Sequence, residues 1–495
     1  LLGLSTMYAE TMVIPSITDF NHEFNATYNT SSLILTCYLI SGTVMTPIAG
    51  KLADAYGRKK IMLIIMIIYS IGTIIGFLSS HISMLIIARL IQGVGIAMFP
   101  IAYGIIRDVI PEKKLSVGQG IFSSAFYAGS VIGLPIGAFI IEHFGWRVTF
   151  LSIIPITVIL IILMYKAIPP DSKKVSSNIV SVINNEPVSH KPHIKKSNVH
   201  KIGNIIDLPG AVILSISIIS LIMIFATLSP KVIDGDNNKN ANFISIALLT
   251  LLLSGSLLSF ILIEKRSKNP LIDISLLKNK TLLYSNFLII IVGLSTFLID
   301  HSIPILVRSP DPVGFGESAM TVASVLLPFS LLILVTSFCA GFLIAKIGNK
   351  IPTITGSVIL TIGFVFLLMN LESLSQITIS LCIIAIGLAL LEEGIFNIVI
   401  LNSTKKDTSA VMSITILLFL LSMSIGPVLS GYLLESNKVT INEGGVAGHY
   451  PSSASYILVF SVGFIVAVIT IILSFILMLL AKENVKQGMY GKMMD

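Results

Sequence analysis

GKLADAYGRKK, residues Gly50–Lys60, is a polar island between two apolar stretches, 32–52 and 61–80. Each flank is long enough to cross the hydrocarbon core of a bilayer, which takes about 20 helical residues. Between them stand Lys51, Asp54, Arg58, Lys59 and Lys60, with a glycine at positions 50 and 57. Such a stretch reads as a short basic turn at a membrane face. If it is, the side on which it sits fixes the side of every other loop.

The rest of the chain supports a membrane setting. Of 495 residues, 54% are hydrophobic and 12% charged, against about 25% charged in a soluble protein. Fourteen apolar segments can be read from end to end, most without any charge. Placing Gly50–Lys60 on the cytoplasmic side puts 26 of the 32 Lys and Arg residues in loops or tail on that side. Only Arg147, Lys231, Lys239, Arg308 and Lys438 fall opposite, and Arg89 lies inside a segment. This asymmetry is the positive-inside pattern, and it predicts cytoplasmic termini. The net charge of +7 is therefore a topology signal and gives no reason to expect nucleic acid. The N-terminal Met is absent and the opening apolar run is short, which predicts that the natural start of the chain is missing and that no cleavable signal peptide is present.

The polar loops carry few other signals. Cys37, Cys339 and Cys382 read as packing residues, and no metal site is expected. His190, His193 and His200 fall in a basic linker and read as solvated. Asn25-Ala26-Thr27 and Asn29-Thr30-Ser31 are glycosylation sequons on the side opposite the basic loops.

The opening stretch has an echo. Gly341-Phe-Leu-Ile-Ala-Lys346-Ile-Gly348-Asn-Lys350 repeats the glycines seven apart, the leucine after the first and the basic residues after the second. Gly133-Leu-Pro135-Ile-Gly137 is echoed in turn by Gly426-Pro427 and Gly431. The chain reads as an all-α polytopic protein: a six-helix bundle (1–168), a cytoplasmic basic linker (169–206) and two inserted helices (207–263). A cytoplasmic loop (264–280), a second six-helix bundle (281–481) and a tail (482–495) follow. Repeated bundles around a midplane site are a transporter architecture.

Residues 50–60 resemble the signature loop between helices 2 and 3 of the major facilitator superfamily, with Ala55 where the family usually has Arg. Ala88-Arg89-Leu-Ile-Gln92-Gly93-Val-Gly95 resembles the fourth-helix signature. Gly120, Gly129, Gly133, Pro135 and Gly137 resemble the fifth-helix antiporter pattern, with Pro135 one place late. Pro270-Leu-Ile-Asp273-Ile-Ser-Leu-Leu277 resembles the fourteen-helix drug:proton antiporter branch. The resemblance implies the superfamily fold, alternating access and a role for Arg89.

Physical readings accompany these motifs. Gly50 and Gly57 are expected to let the chain turn tightly. Asp54 is placed to meet the positive end of the helix beginning near Thr408, and Arg58 to pair with Asp108 or Glu112. Together with Lys59 these residues predict a cytoplasmic latch between the halves. Gly129, Gly133 and Gly137 recur every four residues and predict one face in close contact with a partner helix.

Charges well inside the spans are few: Glu10, Arg89, Glu392 and Glu393, with Asp300 nearer an end. Such residues face a cavity or a partner. Glu393 stands about 18 Å of helix from Lys405, at ~1.5 Å per residue. Adjacent residues point about 100° apart, so one glutamate is expected to face the cavity and the other to bond a neighbouring helix. A cavity acid can exchange a proton for a cationic or polar substrate. The candidate coupling and cavity residues are Glu10, Arg89, Gln92, Asp300, Glu392 and Glu393. The absence of a nucleotide-binding loop or a catalytic cluster points away from an enzyme. The expected protein is a cell-membrane, proton-coupled exporter of amphipathic or cationic small molecules, acting as a monomer with no cofactor beyond the proton gradient. A carrier of a defined metabolite (an amino acid, sugar or siderophore) is the alternative, and a non-transporting sensor a more distant one.

Overall fold

The computed structural model describes residues 2–99, 101–102, 115–167, 208–228, 239–267, 279–402, 408–443 and 446–480. The helices are α1 (Leu2–Thr11), α2 (Ile17–Phe24), α3 (Tyr28–Tyr56), α4 (Arg58–Phe77) and α5 (Ile82–Gly93). Next come α6 (Leu115–Phe144), α7 (Arg147–Ala167), α8 (Leu208–Leu228) and α9 (Lys239–Arg266). The chain continues through α10 (Lys280–Arg308), α11 (Ala319–Ile347), α12 (Lys350–Met369) and α13 (Leu374–Leu401) to α14 (Thr408–Glu435) and α15 (Ser453–Leu480). Among the described residues, eleven helices are long and apolar enough to cross a membrane. In hydrocarbon a helix satisfies its own backbone polar groups, so long apolar segments settle as helices whatever their intrinsic propensity.

Four features depart from the sequence reading. The segment read as one span over 1–19 is broken: Pro15 lies in a 3-10 turn, Ile14–Ser16, between α1 and α2. The fold is not wholly helical, because Lys438–Glu443 and Val446–Pro451 pair as an antiparallel hairpin, β1–β2, between α14 and α15. Gly50 lies within α3 and makes no turn; the bend falls on Gly57 alone, at φ 102°. Its counterpart Gly348 is the bend after α11, at φ 81°, while Gly341 is again helical. One glycine per loop suffices because only the residue with positive φ needs to lack a Cβ. Asn29 is 4% exposed, so its sequon is buried inside the protein, whereas Asn25 is exposed at the end of α2.

Gly120 lies within α6, whereas the side chain of Asp54, and the whole of Asp108, Glu112, the 169–206 linker with its histidines and the 482–495 tail, lie outside the described residues. Among the described residues no group of His, Cys, Asp or Glu could hold a metal. Cys339 is exposed on the apolar perimeter and is not a packing residue there.

The halves meet along two seams, α3 against α14 and α6 against α11. Across the first, Thr36 Oγ1 donates to Ser424 O at 3.0 Å. Helix α8 packs on α3 and α14 and carries α9 against it, with a small apolar cluster of Ile40, Leu214, Ile218, Phe260, Leu417 and Val428 among these helices. Within the first half the glycine face of α6 is filled by α1. A Cβ at Gly129 would meet Leu4 O and Met7, one at Gly133 Thr11 Oγ1 and Tyr8, and one at Gly137 Met12. Without an apolar driving force between helices in lipid, this close approach supplies the packing that holds α1 in place. Gly255 on α9, by contrast, has open space around it.

Gly133→Leu is expected to lower thermal stability in detergent by about 1–3 kcal/mol through overpacking. Gly255→Ala is expected to leave stability unchanged or raise it, by up to about 1 kcal/mol of helix propensity. Thermal scans of the two purified variants check this contrast.

Candidate functional site

Arg89 lies on α5 with no exposure, and each of its three guanidinium nitrogens finds an acceptor inside the first half. Nη2 forms an ion pair with Glu10 Oε2 on α1. Nη1 donates to Gln92 Oε1 at 2.7 Å and to Ala9 O at 3.3 Å, and Nε donates to Ile34 O at 3.1 Å. The Tyr38 ring lies 4.3 Å from the guanidinium carbon, a cation–π contact in a dry setting. Gln92, one helical turn from Arg89, passes the network on by donating to Thr73 Oγ1 at 3.1 Å. Helices α1, α3, α4 and α5 are thus joined at one buried cation. Glu10 Oε1 remains without a partner and lies beside a small gap lined by Thr6, Met7, Tyr38, Phe126 and Met423.

That gap adjoins a second space between the halves, sharing Met7, Phe126 and Met423 with it. Each surrounding helix presents residues one turn apart, as an i, i+4 face must: Met7 and Thr11 on α1, Thr296 and Asp300 on α10, Leu388 and Glu392 on α13, Phe419 and Met423 on α14. Helix α6 adds Phe126, Tyr127 and Ser130, and α11 adds Phe329 and Ser330. The wall is aromatic and methionine-rich with two acids. The cavity volume is about 30 Å³, enough for water but far below the ~300 Å³ or more of a drug-sized pocket, so the cavity is closed down in this conformation.

Of the two adjacent glutamates, Glu392 lines this cavity and Glu393 does not. Glu392 also makes the bond to a neighbouring helix that was expected of the other residue. Tyr127 Oη on α6 lies 2.6 Å from both of its carboxylate oxygens. Glu393 is half-buried, with no hydrogen bond to a described residue. Asp300 is 9% exposed, and no described Lys or Arg pairs with it or with Glu392. Glu10, Asp300 and Glu392 therefore converge from α1, α10 and α13. Among the described residues, Glu10 alone of the three has a cation.

The hairpin end of the bundle is fastened separately. Arg308, at the end of α10, donates to Asp19 Oδ2 on α2 at 2.6 Å and to Pro15 O at 3.0 Å, so it ties the two halves. Glu435 on α14 accepts from Asn29 N of α3 at 3.4 Å. Nearby, Arg147 and Trp146 Nε1 each donate to Glu23 at 2.6 Å. The Arg147 hydrogen bond holds the Glu23 carboxyl below the usual carboxylate range. Sequence reasoning missed Tyr127, Asp19 and Arg308. Arg308 was findable as one of only five basic residues on the charge-poor side. A tyrosine within an apolar run carries no such signal. Lys59 donates to Tyr165 O at 2.6 Å within its own half, and the partners expected for Arg58, Asp108 and Glu112, lie outside the described residues.

Two helical bundles meeting over a closed cavity with ionisable walls define a multi-pass integral membrane protein of the transporter class. The family model described as Major Facilitator Superfamily matches residues 1–324 and 286–489, and the chain belongs to that superfamily, as a protein of the cell membrane. It is similar to the "Multidrug transporter protein MdtP" of Bacillus subtilis, at 25% identity over 77% of this chain and 64% of the relative. It is also similar to the "Quinolone resistance protein NorB" of Staphylococcus aureus, at 26% over 92% of this chain and 91% of the relative. A third relative is the "Vacuolar membrane amino acid uptake transporter fnx2" of Schizosaccharomyces pombe, at 26% over 70% and 55%. The chain thus spans less than two thirds of the length of several curated relatives. Among solved structures, a bacterial homologue of the human lysosomal transporter Spinster, inward-facing and unoccupied, shares the fold. Its TM-score is 0.62 at 14% identity, covering 97% of this chain and 95% of that one.

Removing Arg89 leaves Glu10 as an uncompensated buried group, a change that costs about 3–5 kcal/mol. Arg89→Met is expected to lower the unfolding midpoint sharply, and the double variant with Glu10→Gln to recover much of the loss. Thermal unfolding of the purified chain in detergent, for the two single variants and the double, measures the coupling.

Proposed function

We propose that the protein is a proton-coupled antiporter that exports amphipathic cations by alternating access. The observation that carries this reading is the pair Asp300 and Glu392, two acids without a basic partner among the described residues, in a cavity walled by Phe126, Phe297, Phe329, Phe419 and two methionines. A desolvated carboxylate is costly to keep charged unless it is paired. The aromatic faces attract a lipophilic cation and methionine adapts to irregular shapes. Each acid accordingly holds a proton or a substrate cation, and binding one releases the other. This competition is the chemistry of antiport. Opening of the cavity to either side alternately would then move the two in opposite directions. In this reading the chain crosses the membrane fourteen times, the Gly57–Gly348 end is cytoplasmic, and the Arg308–Asp19 tie closes the outer side. Glu10, held by Arg89, is a second proton-bearing site whose affinity its guanidinium partner sets. Asp54, Arg58 and Asp108 keep the role of a cytoplasmic latch, and the monomer is the working unit.

The names of MdtP and NorB support the drug-efflux reading, and that of fnx2 supports a carrier of an amino acid. The cavity wall favours the first. An amino acid brings a carboxylate as well as an ammonium group, and no Lys, Arg or His is among the described cavity-lining residues.

The full chain in proteoliposomes is expected to accumulate tetraphenylphosphonium when a pH gradient is imposed and to lose it when a protonophore is added. Asp300→Asn and Glu392→Gln should each reduce that accumulation by about tenfold, the scale of one charge-assisted contact. Glu393→Gln should change it by less than about twofold, because Glu393 is off the cavity wall. Unchanged accumulation in both cavity variants would rule the assignment out.

A further inference from the structure

The cavity's two acids differ in one respect. Among the described residues Asp300 has no hydrogen-bond donor, whereas Glu392 receives one from the opposite half. Tyr127 stands on α6 and Glu392 on α13, 265 residues apart in the chain. The hydroxyl lies 2.6 Å from each carboxylate oxygen, so it bisects the carboxylate and favours neither oxygen. Phe126 packs edge-on against the Tyr127 ring at 5.4 Å and against Phe99 at 4.8 Å, which keeps the phenol aimed into the cavity.

We propose that the Tyr127–Glu392 hydrogen bond is the tie by which an ionised cavity acid holds the two halves closed, which makes Tyr127 a positioning residue of the transport cycle. The proposal rests on the reading of Glu392 as a site shared by proton and cation. The bond exists only while α6 and α13 are close, because its two ends belong to different halves. It is strongest when Glu392 is a carboxylate, since a charged acceptor roughly doubles a hydrogen bond's strength. A proton on Glu392, or a cation bound to it, removes or shares that acceptor and loosens the tie. The state of the binding site would thereby reach the interface without any intermediary helix movement. The other ionisable groups facing Glu392 are Glu393 on its own helix and Asp300 on α10. The faces that α11 and α14 turn to the cavity carry no titratable group. Neither acid donates in its charged form, so neither can replace the phenol.

The test uses the full chain in nanodiscs with spin labels at exposed positions of each half, Leu78 with Met369 and, in a second sample, Ile64 with Ile351. Distance distributions between pH 6 and 8 report the ratio of closed to open forms without any ligand. The unaltered chain is expected to shift toward the closed form as pH rises, by about tenfold in that ratio. Tyr127→Phe should remove most of the shift, and Tyr127→His, which restores a donor on a ring, should return part of it. In a Glu392→Gln background Tyr127→Phe should have no further effect. A full shift in Tyr127→Phe, no shift in the unaltered chain, or the same Tyr127→Phe effect with and without Glu392 would each overturn the proposal. If Glu392→Gln itself keeps the full shift, the underlying reading of Glu392 falls as well. If Glu392→Gln loses the shift while Tyr127→Phe keeps it, only the role of Tyr127 falls.

Discussion

A guanidinium cannot be buried in a helical bundle unless every donor is met, and Arg89 dictates how its half is built. Satisfying it requires a carboxylate from α1, backbone carbonyls of Ala9 and Ile34, a glutamine one turn on, and the face of Tyr38. Those partners come from three helices, so none of the three can slide without stranding a charge in low dielectric. The Gly129, Gly133 and Gly137 face then brings α6 against α1 at backbone contact.

The second half is organised on the opposite principle. Asp300 and Glu392 are buried, as Glu10 is, yet no described cation compensates them, and the surrounding wall is aromatic. Where the first half neutralises its acid internally, the second leaves its acids without a cation among the described residues. The division is unequal: one half holds a buried charge pair, and the other turns two acids without a described basic partner to the cavity. The closed cavity keeps those acids out of contact with bulk solvent, and the tie at Arg308 and Asp19 fastens the end that carries the hairpin.

Much of this was legible from residues 50–60 and their echo at 341–350, because hydrophobic length and charge asymmetry are properties that lipid imposes directly on sequence. The family signatures likewise announced Arg89, Gln92 and the glycine face. The turn was misassigned at Gly50, since spacing alone cannot say which of two glycines adopts positive φ. The hairpin at 438–451 does carry a signal, since Lys438-Val-Thr-Ile-Asn442 alternates polar and apolar residues ahead of Gly444-Gly445, but a run this short is easily lost between two long apolar segments. Within the candidate site, sequence could place Glu392 and Glu393 on different faces of one helix but could not orient that helix. The orientation comes from packing: Gly387 and Gly394 fit against Leu360 and Thr353 of α12, which turns Glu392 toward Tyr127. Tyr127 itself was invisible because an aromatic residue in an apolar run looks the same whether it faces lipid, core or cavity.

The two repeated bundles would, alone, give a protein with two equivalent seams facing the bilayer. Helix α8 removes that equivalence by packing on both helices of the α3–α14 seam, with Leu214 and Ile218 in the apolar cluster there. The α6–α11 seam keeps apolar side chains such as Ile132, Ile136, Phe338 and Leu331 exposed nearby. Seen from the lipid, the bundle therefore has a front and a back: among the described residues one seam lies beneath an added helix, and the other is flanked by exposed apolar side chains.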